Sequence, residues 1–138
     1  MEIHKLIALL LAIKGYSKNI HYTCHGDSFY GKHIFADKIE SPINDYIDRL
    51  KEVCLLGKFP EGIRPLTTSE YDALAKPYYP ETKEADDKYN FDKLQQLISD
   101  TLIYIEQLDN LTKGDENLIG SIAEHLQQMN GLLNLQNI

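Results

Sequence analysis

The chain has 138 residues, 43% of them hydrophobic and 25% charged, and a formal net charge of −7. These are the proportions of one soluble globular domain with a core large enough to fold alone. The acidic balance argues against general affinity for phosphate backbones, which calls for a basic patch. Cys24 and Cys54 show no CxxC spacing, so reduced thiols in a cytoplasmic protein are expected rather than a disulfide framework.

The first helix is expected over residues 2–25, with Ile3, Leu6, Ile7, Leu10, Leu11 and Ile13 at helical spacing and Gly26 as its stop. Its apolar run from Leu6 to Ile13 imitates the core of a signal peptide. It is shorter than the roughly 20 residues of a membrane span and leads into polar residues still in helical register, so it reads as a buried face. A second helix, capped by Asp27 or Ser28, is expected to reach about Leu56 and stop at Gly57. Pro42 lies in its middle and must kink or divide it, because proline removes a backbone donor and crowds the preceding turn.

Residues 57–90 hold Pro60, Pro65, Pro77 and Pro80, which predict an irregular connection with one short helix near Thr68–Lys76. A third long helix is expected from about Asn90 to Gly114, and a fourth from Asp115 through Leu133. Two helical hairpins joined by a long link make an all-α bundle wired in the ferritin-like manner, one domain over residues 1–138.

The polar residues that stand out cluster in the first hairpin. His21 lies just before the Gly26 break and His33 just after it, so an antiparallel hairpin brings the two imidazoles level, able to face one point. His33 and Asp37 are four apart on one helix face, as are Asp48 and Glu52. From His33 to Asp48 is about 22 Å along a helix axis, too far for one metal ion within one chain. Yet the midpoint of positions 33 and 52 coincides with that of 37 and 48, between Pro42 and Ile43. Two copies paired antiparallel about that point bring His33 and Asp37 of one against Asp48 and Glu52 of the other, generating two equivalent sites. Imidazole with carboxylate suits iron, manganese or zinc better than soft metals.

The stretch His21-Tyr-Thr-Cys-His-Gly26 followed by Phe29, His33, Asp37, Asp48 and Glu52 resembles the Dps family (DNA-binding proteins from starved cells, mini-ferritins). The motif covers residues 21–52, and the bundle-like pattern covers most of the chain. The resemblance implies His21, His33 and Asp37 as ligands from one subunit and Asp48 and Glu52 from its two-fold partner. It implies ferroxidase activity: ferrous iron oxidised by hydrogen peroxide or dioxygen, and ferric mineral stored in a shell of twelve subunits. Zinc or manganese can occupy such a ligand set in vitro.

Four departures from the family pattern stand out. Tyr22 replaces the usual tryptophan, Lys51-Glu52-Val53 replaces Ala-Glu-Arg, Pro42 sits near the proposed axis, and the lysine-rich N-terminal extension that holds DNA in many members is not seen. The ligand reading survives these departures and the DNA reading does not. A bundle without useful ferroxidase is the main rival. Among other residues, Tyr22 is the one tyrosine nominated to quench radicals beside the site. Glu40 is expected to be solvated, His25 to face solvent at the helix end, and His4 and His125 to lie at the surface.

Overall fold

The computed structural model describes residues 2–136; Met1, Asn137 and Ile138, the ends of the expected domain, lie outside the described residues. All regular structure among those residues is helical: α1 (Glu2–Thr23), α2 (Phe29–Glu40), α3 (Ile43–Arg49), a π-helical segment (Leu50–Leu56), α4 (Thr68–Ala75), a 3-10 turn (Lys76–Tyr78), α5 (Asp87–Glu106) and α6 (Lys113–Gln136). None of these helices is long and apolar enough to cross a membrane.

Helix α1 is the central element. Its apolar run buries Leu6, Ile7, Leu10 and Ile13 completely, each contributing about 1.5–3 kcal/mol through removal from water. The same core takes Ile39, Ile43 and Leu50 from the second helical stretch, Leu94 and Ile98 from α5, and Ile122, Leu126 and Met129 from α6. Four long segments therefore surround one core, with α1 packed on α2 and α5, and α6 packed on α5 and the π segment.

Neighbouring segments run antiparallel. Tyr104 near the end of α5 donates to the Glu2 carbonyl at the start of α1 (2.8 Å), and Ser99 of α5 meets Asn130 of α6 (3.5 Å). The π segment ends where α6 begins, and the Lys58 ammonium just beyond it lies 3.4 Å from the Asp115 carboxylate. The end of the π segment and the start of α5 thus lie at opposite ends of the bundle, and the connection between them must travel its length. It does so along α1: His4 pairs with Tyr71 (2.8 Å), the Tyr79 hydroxyl donates to the Leu11 carbonyl (3.3 Å), and the Tyr16 hydroxyl donates to the Glu81 carbonyl (3.0 Å). Buried Asn90 ties off the far end, accepting from Lys83 N–H and donating to its carbonyl, both at 2.9 Å.

Proline divides the second stretch with little loss of helical direction. Ser41 and Pro42 both keep right-handed helical backbone angles, Ser41 N–H still reaches the Asp37 carbonyl, and Tyr46 N–H reaches the Pro42 carbonyl. The stop at Gly57 is as expected, but the last two turns are π-helical, closed by Gly57 N–H on the Glu52 carbonyl (2.8 Å).

Several ends differ from expectation. Helix α1 stops at Thr23 rather than His25. Ser28 precedes α2 in the left-handed region (φ 62°), with no side-chain capping bond. Helix α4 is opened one residue ahead of its start by a reciprocal capping box between Thr67 and Glu70. Helix α5 begins at Asp87 and ends at Glu106, well short of Gly114. Gly114 instead sits in the first turn of α6, where Thr112 and Asp115 exchange backbone-to-side-chain bonds of 3.3 and 3.1 Å in the same capping geometry.

His4 and His125 are half-buried packing residues, a correction to their expected surface placement. Burial lowers the pKa of both imidazoles from the ordinary histidine value.

Candidate functional site

The α1–α2 hairpin closes through residues 24–28, where Gly26 takes a left-handed backbone (φ 74°) that glycine adopts at no steric cost. The chain reverses tightly enough to stack His21 on His33, ring centroids 3.6 Å apart and planes 21° from parallel. Phe29 stacks on the outer face of this pair, 5.4 Å from His33, and Tyr22 meets His21 edge-on at 4.9 Å.

The two imidazoles hold each other reciprocally. His21 Nδ1 lies 2.8 Å from the His33 carbonyl oxygen, and His33 Nδ1 lies 2.5 Å from the His21 carbonyl oxygen. A carbonyl can only accept, so each Nδ1 carries the proton, and in the neutral ring each Nε2 is left with its lone pair. Neither Nε2 has a hydrogen-bond partner among the described residues. A backbone carbonyl on Nδ1 is the usual support for an imidazole that ligates a metal through Nε2, since it fixes both tautomer and ring orientation.

Stacking also alters the expectation that both rings face one point. Nearly parallel rings keep their in-plane lone pairs in separate planes, so the pair as it stands offers two adjacent donor positions rather than one convergent one.

Asp37 lies one helical turn beyond His33 on α2 and is exposed; Asp48 on α3 and Glu52 in the π segment are also exposed. Within one chain, the structure brings His21 and His33 together and leaves Asp48 and Glu52 on later segments. Among the described residues, no three His, Cys, Asp or Glu side chains gather closely enough to hold a metal ion. Within one chain these donors stay separate. The π segment places Glu52 in a widened turn, a local distortion that recurs at functional sites.

Cys24 is buried beneath the pair, its thiol 3.9 Å from the His21 and Phe29 carbonyls. Burial, and secondarily Asp87, pushes this thiol up from its ordinary pKa, which favours the protonated form. At the far end of the bundle, burial and the Asp115 carboxylate push the Cys54 thiol up to about 12. Both cysteines are free.

One contributor had no signal in the sequence. Asp87, the first residue of α5, accepts from His25 N–H (3.0 Å) and from the Lys32 ammonium (2.9 Å), and the His25 ring sits 3.2 Å from its other oxygen. Half-exposed His25 is thus partly solvent-facing, as expected, and also paired. Burial alone would raise the Asp87 carboxyl, but its bonds to His25 N–H and Lys32 outweigh that and hold it below the usual carboxylate range.

No protein-family model matches this sequence, and no curated protein matches it either.

Proposed function

We propose that this protein is a Dps-type mini-ferritin with a ferritin-like bundle, binding ferrous iron as substrate at sites shared between two-fold-paired chains and oxidising it. The observation that carries this reading is the reciprocal Nδ1-to-carbonyl bonding of His21 and His33. It spends both backbone-facing nitrogens and leaves both Nε2 atoms as donors, on the residues that the family motif gives as ligands. The wiring of the bundle, with a long crossing connection that carries a short helix, supports the same reading.

In this reading His21, His33 and Asp37 come from one chain and Asp48 and Glu52 from its partner. Imidazole nitrogens take up ferrous iron readily, while the carboxylates stabilise the ferric product more strongly than the substrate, so the ligand set favours loss of an electron. Each ferrous ion gives up one electron, and hydrogen peroxide, accepting a pair together with protons, leaves as water. The acidic surface raises the local concentration of cations. Assembly of the pairs into a closed shell, with ferric mineral inside, follows from the resemblance.

A second reading, a bundle that pairs without useful ferroxidase, is favoured by the helix break at Ser41–Pro42, which falls on the proposed axis. The two readings separate on ferrous oxidation after peroxide addition, followed by absorbance for the wild type, His33→Ala and Asp48→Ala. Rapid oxidation lost in both variants supports the shared site. Oxidation by the wild type no faster than in buffer leaves the scaffold reading.

A further inference from the structure

The His21–His33 pair depends on the relation between the end of α1 and the start of α2, because each ring is held by the backbone of the other. The turn that joins them is poorly secured by its own bonds. Two of its residues, Gly26 and Ser28, are left-handed, and α2 opens without a side-chain cap. Its backbone bonds, from Phe29 N–H to the Gly26 carbonyl (3.2 Å) and from Lys32 N–H to the Ser28 carbonyl (3.0 Å), are local.

Besides the long Cys24 thiol contact with the Phe29 carbonyl and the histidine bonds themselves, a triangle anchored from outside spans the turn. The Asp87 carboxylate grips the α1 side through His25 N–H at 3.0 Å and the α2 side through Lys32 Nζ at 2.9 Å. Lys32 closes the triangle by donating to the His25 carbonyl (3.3 Å). The Asp87 side chain is only 9% exposed, so the charge-assisted bond to Lys32 is partly shielded from solvent and stronger than a fully exposed pair. Its place in the first turn of α5 adds the favourable field of the helix N-terminus. Lys32 immediately precedes His33, so one corner of the triangle is next in sequence to a residue of the pair.

We infer that Asp87 is a positioning residue: through His25 and Lys32 it fixes the hairpin turn and thereby the tautomer and stacking of His21 and His33. The metal-binding consequence rests on the function proposed above; the tautomer consequence does not.

The experiment compares the full-length wild type with Asp87→Ala, Asp87→Asn and Asp115→Ala, the last a destabilising control at the opposite end of the bundle. Long-range proton–nitrogen correlation spectra report which imidazole nitrogens of His21 and His33 are protonated, and zinc, a redox-inert probe, is titrated calorimetrically. In the wild type both rings should show protonated Nδ1. Asp87→Ala should shift both toward the Nε2-protonated form of free histidine and weaken zinc binding about tenfold or more, the size typical for losing support behind a ligand. Asp87→Asn, which keeps an acceptor for His25 N–H but not the charge for Lys32, should fall between and carries the test if the alanine variant does not fold. Asp115→Ala should change neither signal. Wild-type tautomers persisting in both Asp87 variants overturn the inference whatever zinc does. Altered tautomers with no zinc binding in the wild type uphold the positioning role and overturn the metal reading instead.

Discussion

Sharing of ligands between chains has a quantitative signature in mixed assemblies. Take one chain carrying His33→Ala and another carrying Asp48→Ala, each inactive alone in the proposed arrangement. His33 lies on α2 and Asp48 on α3, on opposite sides of the Ser41–Pro42 break. In a mixed pair, one site joins the altered position 33 to the altered position 48 and is empty of both ligands. The other joins the intact His33 to the intact Asp48 and is complete. Random pairing of equal amounts makes about half the pairs mixed, and half the sites in those are whole, so refolding the variants together should restore about one quarter of the wild-type rate. The assay is initial ferrous oxidation after peroxide addition, with each variant alone and the two mixed without refolding as controls. Recovery should survive purification through two different tags, rising to about one half where isolated pairs are selected and staying near one quarter where the pairs are built into a shell. No recovery, from chains that do pair, refutes the shared site, since ligands drawn from a single chain cannot complement. Full activity in either variant alone refutes it equally, because that ligand would then be dispensable.

Three further outcomes are expected. Asp115→Ala should destabilise the fold by about 2–3 kcal/mol in urea unfolding, through the lost return half of the α6 capping box and the stranded Thr112 N–H and Lys58 partners; these bonds measure 3.3 and 3.4 Å. Gly62→Ala should cost about 1–3 kcal/mol by the same measurement, because a Cβ there collides with the Leu56 carbonyl where the chain folds back on the π segment. For His125, burial favours the neutral ring and lowers its folded pKa; the unfolded chain therefore takes up a proton first, and the stability present above the ordinary value of 6.5 is lost as pH falls through the folded value. Urea midpoints at about pH 7.5 and 5.5 should accordingly differ less in His125→Gln than in the wild type.

Much of the fold was legible because helix periodicity and breakers act locally. Leu6, Leu10 and Ile13 mark the buried face of α1, Pro42 marks a division of the second stretch, and the prolines after Gly57 mark the connection. The level placement of His21 and His33 followed from a glycine between two helices. Other features depend on partners distant in sequence or on choices among equivalent local signals. Gly114 looked like a helix stop, yet Thr112 and Asp115 use the same residues to start a helix. The π segment shifts hydrogen bonds by one residue without disturbing the apolar spacing of Leu50 and Cys54. The Asp87 clamp joins positions 62 residues apart, and no pattern near His25 announces it. Ring stacking, too, is a tertiary outcome: spacing brings two histidines near each other but does not choose between converging and parallel lone pairs.

The crossing connection bears on where another chain can reach. It follows α1 from His4 to Tyr16 and leaves it at Glu81, about one and a half helical turns before His21. Over that length α1 is enclosed by the end of α2, α3 and the π segment, α5 and the connection. Beyond it, the last turns of α1 emerge, with Tyr22 72% exposed. The length of the connection is therefore a ruler: it sets how much of α1 is sheathed and fixes the point at which the bundle opens to the outside. Selection on the proposed site would thus be felt in a segment that contributes no ligand.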